Sequence, residues 1–142
     1  MSFLIKIDVK KNIADMDSQT KQAAEKAVTE ISDLTIQTLQ SNAPVKTGFL
    51  RSSFQKILFG LTARIFSIAS YVMIVEKGSR PHVILPKSAR VLHFVIGGQD
   101  VFAKSVQHPG TRGTFFIQRT RDRVSNEAPR IMAKHLQKVG KV

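Results

Sequence analysis

Apolar and polar positions alternate at the start of the chain. Phe3, Ile5, Ile7 and Val9 fall on one side, and Leu4, Lys6, Asp8 and Lys10 on the other. A period of two predicts a short, half-buried strand. From about residue 17 to residue 40 the period becomes helical: Ala24, Ala27, Val28, Ile31, Leu34, Thr35, Thr38 and Leu39 lie on one stripe, with Lys, Glu and Gln elsewhere. Asp17 or Ser18 supplies the N-cap, and Pro44 bars the helix from passing Asn42 or Ala43.

A turn-rich link, SNAPVKTGFL, follows, and then two strand-like runs at 52–59 and 62–69. Gly60 stands at the first central position of a two-residue II′ hairpin between them. The apolar stretch 71–75 is too short to classify by period, and reads as a strand or as one or two helical turns. Beyond Pro81 and Pro86, the runs 91–96 and 101–106 flank Gly97-Gly98 as a second hairpin. Val91, His93 and Val95 share one of its faces, and Leu92, Phe94 and Ile96 the other. QHPGTRGTFF reads as a loop broken by Pro109, Gly110 and Gly113.

A last helix carries Val124, Ala128, Ile131, Met132, His135, Leu136 and Val139 at helical spacing. With Pro129 among them, it either starts near Ser125 or kinks at the proline. Strands between two long helices predict an α+β fold, with both helices packed on a mainly antiparallel sheet of hairpins. No repeat, low-complexity stretch or domain boundary interrupts residues 1–142, so a single domain is expected.

At 142 residues the chain buries roughly 68–70% of its unfolded surface. A hydrophobic share of 42% with 23% charged residues excludes disorder as the default. No apolar run reaches the roughly 18–20 residues of a membrane span, so no membrane is expected as a partner. The start, MSFLIKIDVKK, does not resemble a secretory signal. Without cysteine there are no disulfides and no thiolate metal ligands, which suits a reducing interior or a particle assembled there.

Charge changes the picture most. Lysine and arginine number 22 against 10 acids, a formal net of +12. Residues 1–33 are near balance, with six acids and five basic groups. From Leu34 to Val75 there is no acid, and from Lys77 to Arg121 Asp100 is the only one among eight basic residues. Such a field favours nucleic acid, an anionic membrane surface or an acidic protein face, and composition does not choose among them.

Catalytic constellations are thin. His82, His93, His108 and His135 make no pair at metal-ligand spacing, and no cofactor is expected. Only Glu76 and Asp100 supply carboxylates between residues 34 and 121, and nothing places them together. Neither Gly97-Gly98 nor Lys77-Gly78-Ser79 has the spacing of a phosphate-binding loop. An RNA-cleaving centre can be assembled on paper from His82 or His108 with Arg80, Arg90 and Arg112, though any basic domain offers that inventory. Nine Phe and one Tyr sit mostly inside apolar runs, which argues against base-stacking platforms.

Three stretches are more specific. The first, Ala43-Pro44-Val45-Lys46-Thr47-Gly48-Phe49-Leu50-Arg51-Ser52-Ser53, is similar to an Ala-Pro-Val-x-Thr-Gly-x-Leu-Arg-x-Ser signature placed after a long helix. The second runs from Tyr71 to Val75-Glu76-Lys77-Gly78-Ser79, and the third from Phe102 through His108-Pro109-Gly110-Thr111 to Phe115-Phe116. Together they resemble the minor structural family of long-tailed phages known as neck, tail-completion or head–tail joining proteins. The likeness spans roughly residues 15–140. Ser79 replaces the family's usual Thr, Thr114 stands where Pro is common, and Pro129 interrupts the last helix.

Physically, the first stretch is a helix-to-strand corner: Pro44 ends the helix, Gly48 permits a reversal, Thr47 fixes the turn and Leu50 starts a strand. The resemblance implies a virion protein without enzymatic activity, made in the host cytoplasm. It would form a homo-oligomeric ring that meets connector and tail-terminator proteins and through which genome DNA passes. Lys46, Arg51, Glu76, Arg80, Lys87, Arg90, Lys104, His108 and Arg112 are the expected partner and subunit contacts, Glu76 more as an ion-pair partner than as an acid or base. The contrasting expectations are a basic nucleic-acid-binding or RNA-cleaving protein, and an assembly factor absent from the finished particle.

Overall fold

The computed structural model describes residues 2–9 and 15–140; the side chain of Phe3, and Lys10, lie outside what it describes. The fold is α+β, with a long helix near each end and antiparallel strands between them. The chain divides into two compact units: a core from residues 1–72 and 115–142, and an inserted unit from residues 73–114.

The core begins with β1 (Ser2–Asp8), which pairs antiparallel with β3 (Thr62–Ser67); β3 also pairs with β2 (Phe54–Phe59), giving the order β1-β3-β2. Strict alternation in β1 fails at one point. The register slips by a residue between Phe3 and Ile5, and the bulge lets Leu4 and Ile5 both turn inward. β2 and β3 join as expected through Gly60, whose φ of +53° suits the first position of a II′ turn.

Helix α1 (Ser18–Asn42) starts on Asp17, whose carboxylate accepts from the Thr20 N–H at 2.9 Å, and ends where Ala43 precedes Pro44. Its buried stripe is the predicted one with Ala23 and Ser32 added and with Leu34 only half-buried. Ser32, Thr35 and Thr38 sit in that stripe at little cost because their hydroxyls donate back to the Thr29, Ile31 and Leu34 carbonyls, each at 2.7 Å. The small residues Ala24 and Ala27 let α1 lie close to its neighbours, and α1 packs on the sheet and on the last helix, α4 (Phe116–Gln137).

α4 starts nine residues before the predicted Ser125. The apolar spacing that marks a helix is clear only after Val124. Upstream, the helix is anchored by Phe116, wholly buried with its ring 6.0 Å from that of Phe54, and by Ile117 and Thr120. Pro129 therefore lies inside the helix and removes one of its hydrogen bonds, so it is not a first-turn residue.

The inserted unit is a two-stranded ribbon. Within it β4 (Gly78–Ser79) pairs with β9 (Thr111–Arg112), β5 (His82–Ile84) with β8 (Val106–His108), and β6 (Leu92–Ile96) with β7 (Gln99–Ala103), all antiparallel. The first two pairings share one register, since Ser79 faces Thr111 and His82 faces His108. They are a single ladder interrupted where Pro81 and Pro109, which lack an N–H, stand. The tip turn uses Gly97 and Gly98, both at positive φ, as a type I′ turn requires. The predicted loop 107–116 is irregular at 109–110 and 113–115 but carries two short strand segments, at 107–108 and 111–112. Its glycines and proline signalled breaks, and pairs of two or three residues are too short to show a period.

Candidate interaction surface

The first signature stretch folds as a corner within the core. Ala43 is buried, its N–H donating to the Leu39 carbonyl at 2.8 Å while its own carbonyl accepts from the Arg51 guanidinium at 3.2 Å. Gly48, at φ +83°, turns the chain into a single helical turn, α2 (Phe49–Ser52). Leu50 therefore begins a helical turn and not a strand: with Gly48 left-handed, the Ser52 N–H reaches back to the Gly48 carbonyl. The Thr47 hydroxyl accepts from the Phe49 N–H at 3.4 Å, fixing the turn as expected.

Beneath this corner the Ser53 hydroxyl lies 2.6 Å from that of Ser67, both buried. Ser53 also donates to the Leu50 carbonyl at 2.6 Å, and Ser67 accepts from the Ala69 N–H at 3.1 Å. Two hydroxyls thus tie α2, the start of β2 and the end of β3 into one polar knot, every member of which has a partner. Outside it, Val45, Phe49, Ile68 and Tyr71 are exposed, with the Phe49 and Tyr71 rings 6.4 Å apart.

The second and third stretches, some thirty residues apart in sequence, form one feature at the base of the ribbon. A Cβ on Gly78 would meet the Thr111 carbonyl oxygen at 2.2 Å, and one on Gly110 would meet the Ser79 carbonyl oxygen at 2.4 Å. Both glycines also have positive φ. At Gly113, a Cβ would fall 2.7 Å from the Glu76 carbonyl oxygen. Two backbones cross here so closely that only glycine fits.

The departures from the family pattern are accommodated. The Ser79 hydroxyl accepts from the Thr111 N–H at 3.1 Å, a bond that needs only the oxygen Ser shares with Thr. Thr114 donates both its N–H and its hydroxyl to the Val75 carbonyl, at 3.0 and 2.9 Å. This caps the end of α3 (Val72–Lys77), the short helix that resolves the ambiguous run 71–75. A proline at 114 has no N–H to offer for this bond.

The expected contact residues sort into three groups. Lys46 lies exposed in the corner loop, while Arg80, Lys87, Arg90, Lys104 and Arg112 are exposed along the ribbon. Arg51 is exposed but spends its guanidinium on Ala43, and Glu76 is buried within α3, so both are first of all internal supports. His108 is half-buried, its Nδ1 accepting from the Gly110 N–H at 3.0 Å.

His108 lies directly opposite His82, with ring centroids 4.9 Å apart, a pairing that strand register determines and that spacing alone did not reveal. His82 Nδ1 donates to the Arg80 carbonyl at 2.8 Å. His82 thus carries a proton on Nδ1, while His108, whose Nδ1 accepts, carries its proton on Nε2. Of the other two, His93 pairs with Asp100 at 2.7 Å on the surface, and His135 donates to Glu30 at 2.6 Å. That contact and Lys134 at 2.9 Å hold the Glu30 carboxyl below its ordinary range. Among the described residues no three His, Asp or Glu side chains gather as a metal site.

What sequence reasoning missed is the apolar exposure of the ribbon. Residues 73–114 contribute no apolar side chain to the buried core, and Leu85, Val95, Ile96 and Phe102 are each more than three-fifths exposed. Strand alternation in 91–96 placed Phe94 and Val95 on opposite faces but gave no sign that one face lies open and that the other, with Leu92 and Phe94, is only half-buried.

Residues 7–94 match the model of the HK97-gp10-like family, described as a bacteriophage tail component. The chain belongs to that family. The match covers the first two signature stretches, and the third lies beyond it. Comparison with curated proteins and with solved structures finds no match.

Proposed function

We propose that this HK97-gp10-like protein is a structural component of the phage head–tail connector region, acting at tail completion or in the neck so that a tail docks on a filled head. It assembles as a homo-oligomeric ring, contacts the neighbouring connector and tail-terminator proteins, lets genome DNA pass through its lumen, and catalyses no reaction. It is built in the host cytoplasm and stays in the virion.

One observation carries this reading beyond family membership. The ribbon leaves Leu85, Val95, Ile96 and Phe102 together with its basic residues in solvent, and a two-stranded hairpin is marginal in water by itself. Exposed apolar surface rimmed by charge is the mark of a protein–protein contact. Heterologous contacts between unlike patches close into rings when the rotation allows.

The test is a phage lacking this gene. The reading expects full heads and tails that remain separate, restored by the gene in trans; joined, infectious particles without it would end the proposal. Mass spectrometry of purified particles separates a resident protein from a transient assembly factor.

A second reading draws on the His82–His108 pair. Two imidazoles side by side, in a unit that also carries Arg80, Arg90 and Arg112, are the inventory of a base and an acid for RNA cleavage. The rings form a tilted cross-strand pair, each tied to backbone, which suits a structural role better. RNA cleavage by the purified protein, lost in His108→Ala, would favour the enzyme.

A further inference from the structure

We propose that the ribbon, residues 73–114, docks on the core unit of a second copy of this chain, along strand β2 and the acidic face of α1. The inference rests on the ring reading above and names the interface that would build it.

The receiving surface has three parts. β2 pairs only with β3 among the described strands, so its other edge offers unpaired backbone groups. Along it Ile57, Leu58 and Phe59 are exposed. Next to this edge runs α1: Lys56 reaches Asp33 at 2.6 Å, and Gly60 lies against the Glu25 carboxylate. On that side Gln22, Glu25, Lys26, Thr29, Glu30 and Asp33 line a groove of about 440 Å³.

The ribbon complements each part. Its outer strand edges pair with no other described strand, and β-augmentation joins such an edge to another. Val95, Ile96 and Phe102 supply apolar surface. Residues 73–114 carry six basic groups against two acids, whereas the groove holds Glu25, Glu30 and Asp33 beside Lys26, with Lys134 paired to Glu30 and Lys56 to Asp33. The groove is thus far less basic than the ribbon, which favours the head-to-tail contact over ribbon against ribbon.

The test uses the full chain, mixed from ordinary and nitrogen-15-labelled protein, coupled with a carbodiimide that joins lysine to a carboxylate in direct contact. Sedimentation velocity gives the oligomeric state. The expected result is a salt-sensitive oligomer with mixed-isotope crosslinks from Lys87 or Lys104 to Glu25, Glu30 or Asp33. The triple variant K87E/R90E/K104E should keep its circular dichroism, lose those crosslinks and associate about tenfold more weakly or worse. Lys56–Asp33 and Lys134–Glu30 crosslinks within one chain are expected in every case. Ribbon-to-core crosslinks confined to one isotope, meaning that a ribbon folds onto its own core, would overturn the proposal, as would a protein that stays monomeric. So would an oligomer crosslinked elsewhere, and in that case a phage that still needs the gene would leave the connector reading standing.

Discussion

Gly78 passes the Thr111 backbone, diagonally across the base of the ribbon, so closely that a single methyl group on Gly78 would sit 2.2 Å from the Thr111 carbonyl oxygen. Two signature stretches distant in sequence are thereby one object, a backbone crossing. Gly78→Ala is expected to break it, with strain of about 1–3 kcal/mol from φ +79° before the clash is added. Hydrogen exchange should quicken across 78–84 and 106–112 while α1 stays protected. Unchanged exchange in those segments would mean that the crossing tolerates a side chain.

The core should respond quite differently from the ribbon. Phe116 is wholly buried against Phe54, so Phe116→Ala should cost about 3–5 kcal/mol in chemical denaturation. Phe102, 65% exposed, should change the stability of the single chain by about 0.5 kcal/mol or less when cut to Ala, yet weaken association. Equal effects from the two would contradict the assignment of Phe102 to an interface.

The hydroxyl pair under the corner is open to a direct test. Ser53→Ala removes a buried bond to the Leu50 carbonyl and leaves Ser67 with only the Ala69 N–H. A loss of about 1–2 kcal/mol is expected, together with faster exchange in α2. No loss would show that the knot is ornamental.

Stability should also fall in acid by a route that one substitution removes. Hydrogen bonds from His135 and Lys134 lower the Glu30 carboxyl below its ordinary 4.5. A depressed folded value contributes stability that is fully present above the unfolded value and is lost as pH falls through the folded one. Thermal melts across that window should show a smaller acid loss in Glu30→Gln than in the parent. Identical slopes would mean that the contact carries no net free energy.

Legibility followed the strength of local signals. α1 was readable to within a residue or two because Asp17 and Pro44 punctuate a clean 3.6-residue pattern. Both hairpin turns were readable because Gly60 and Gly97-Gly98 supply the φ that such turns need. The first half of α4 was not, since its anchor is a tertiary contact between Phe116 and Phe54. The short ladders of the ribbon were hidden because pairing between residues thirty apart leaves no local trace. Of the proposed contact residues, the exposed cations of the ribbon lie where charge patterning suggested. Arg51 is exposed yet tied to the Ala43 carbonyl, and Glu76 is buried, neither of which spacing encodes.

The central claim is that this chain is a built-in part of the joint between head and tail. An electron-microscopy map of the neck of purified particles tests it most directly. The account predicts a ring of density at that joint into which the core and ribbon both fit. A neck fully accounted for by other chains, in particles that lack this polypeptide, would contradict it.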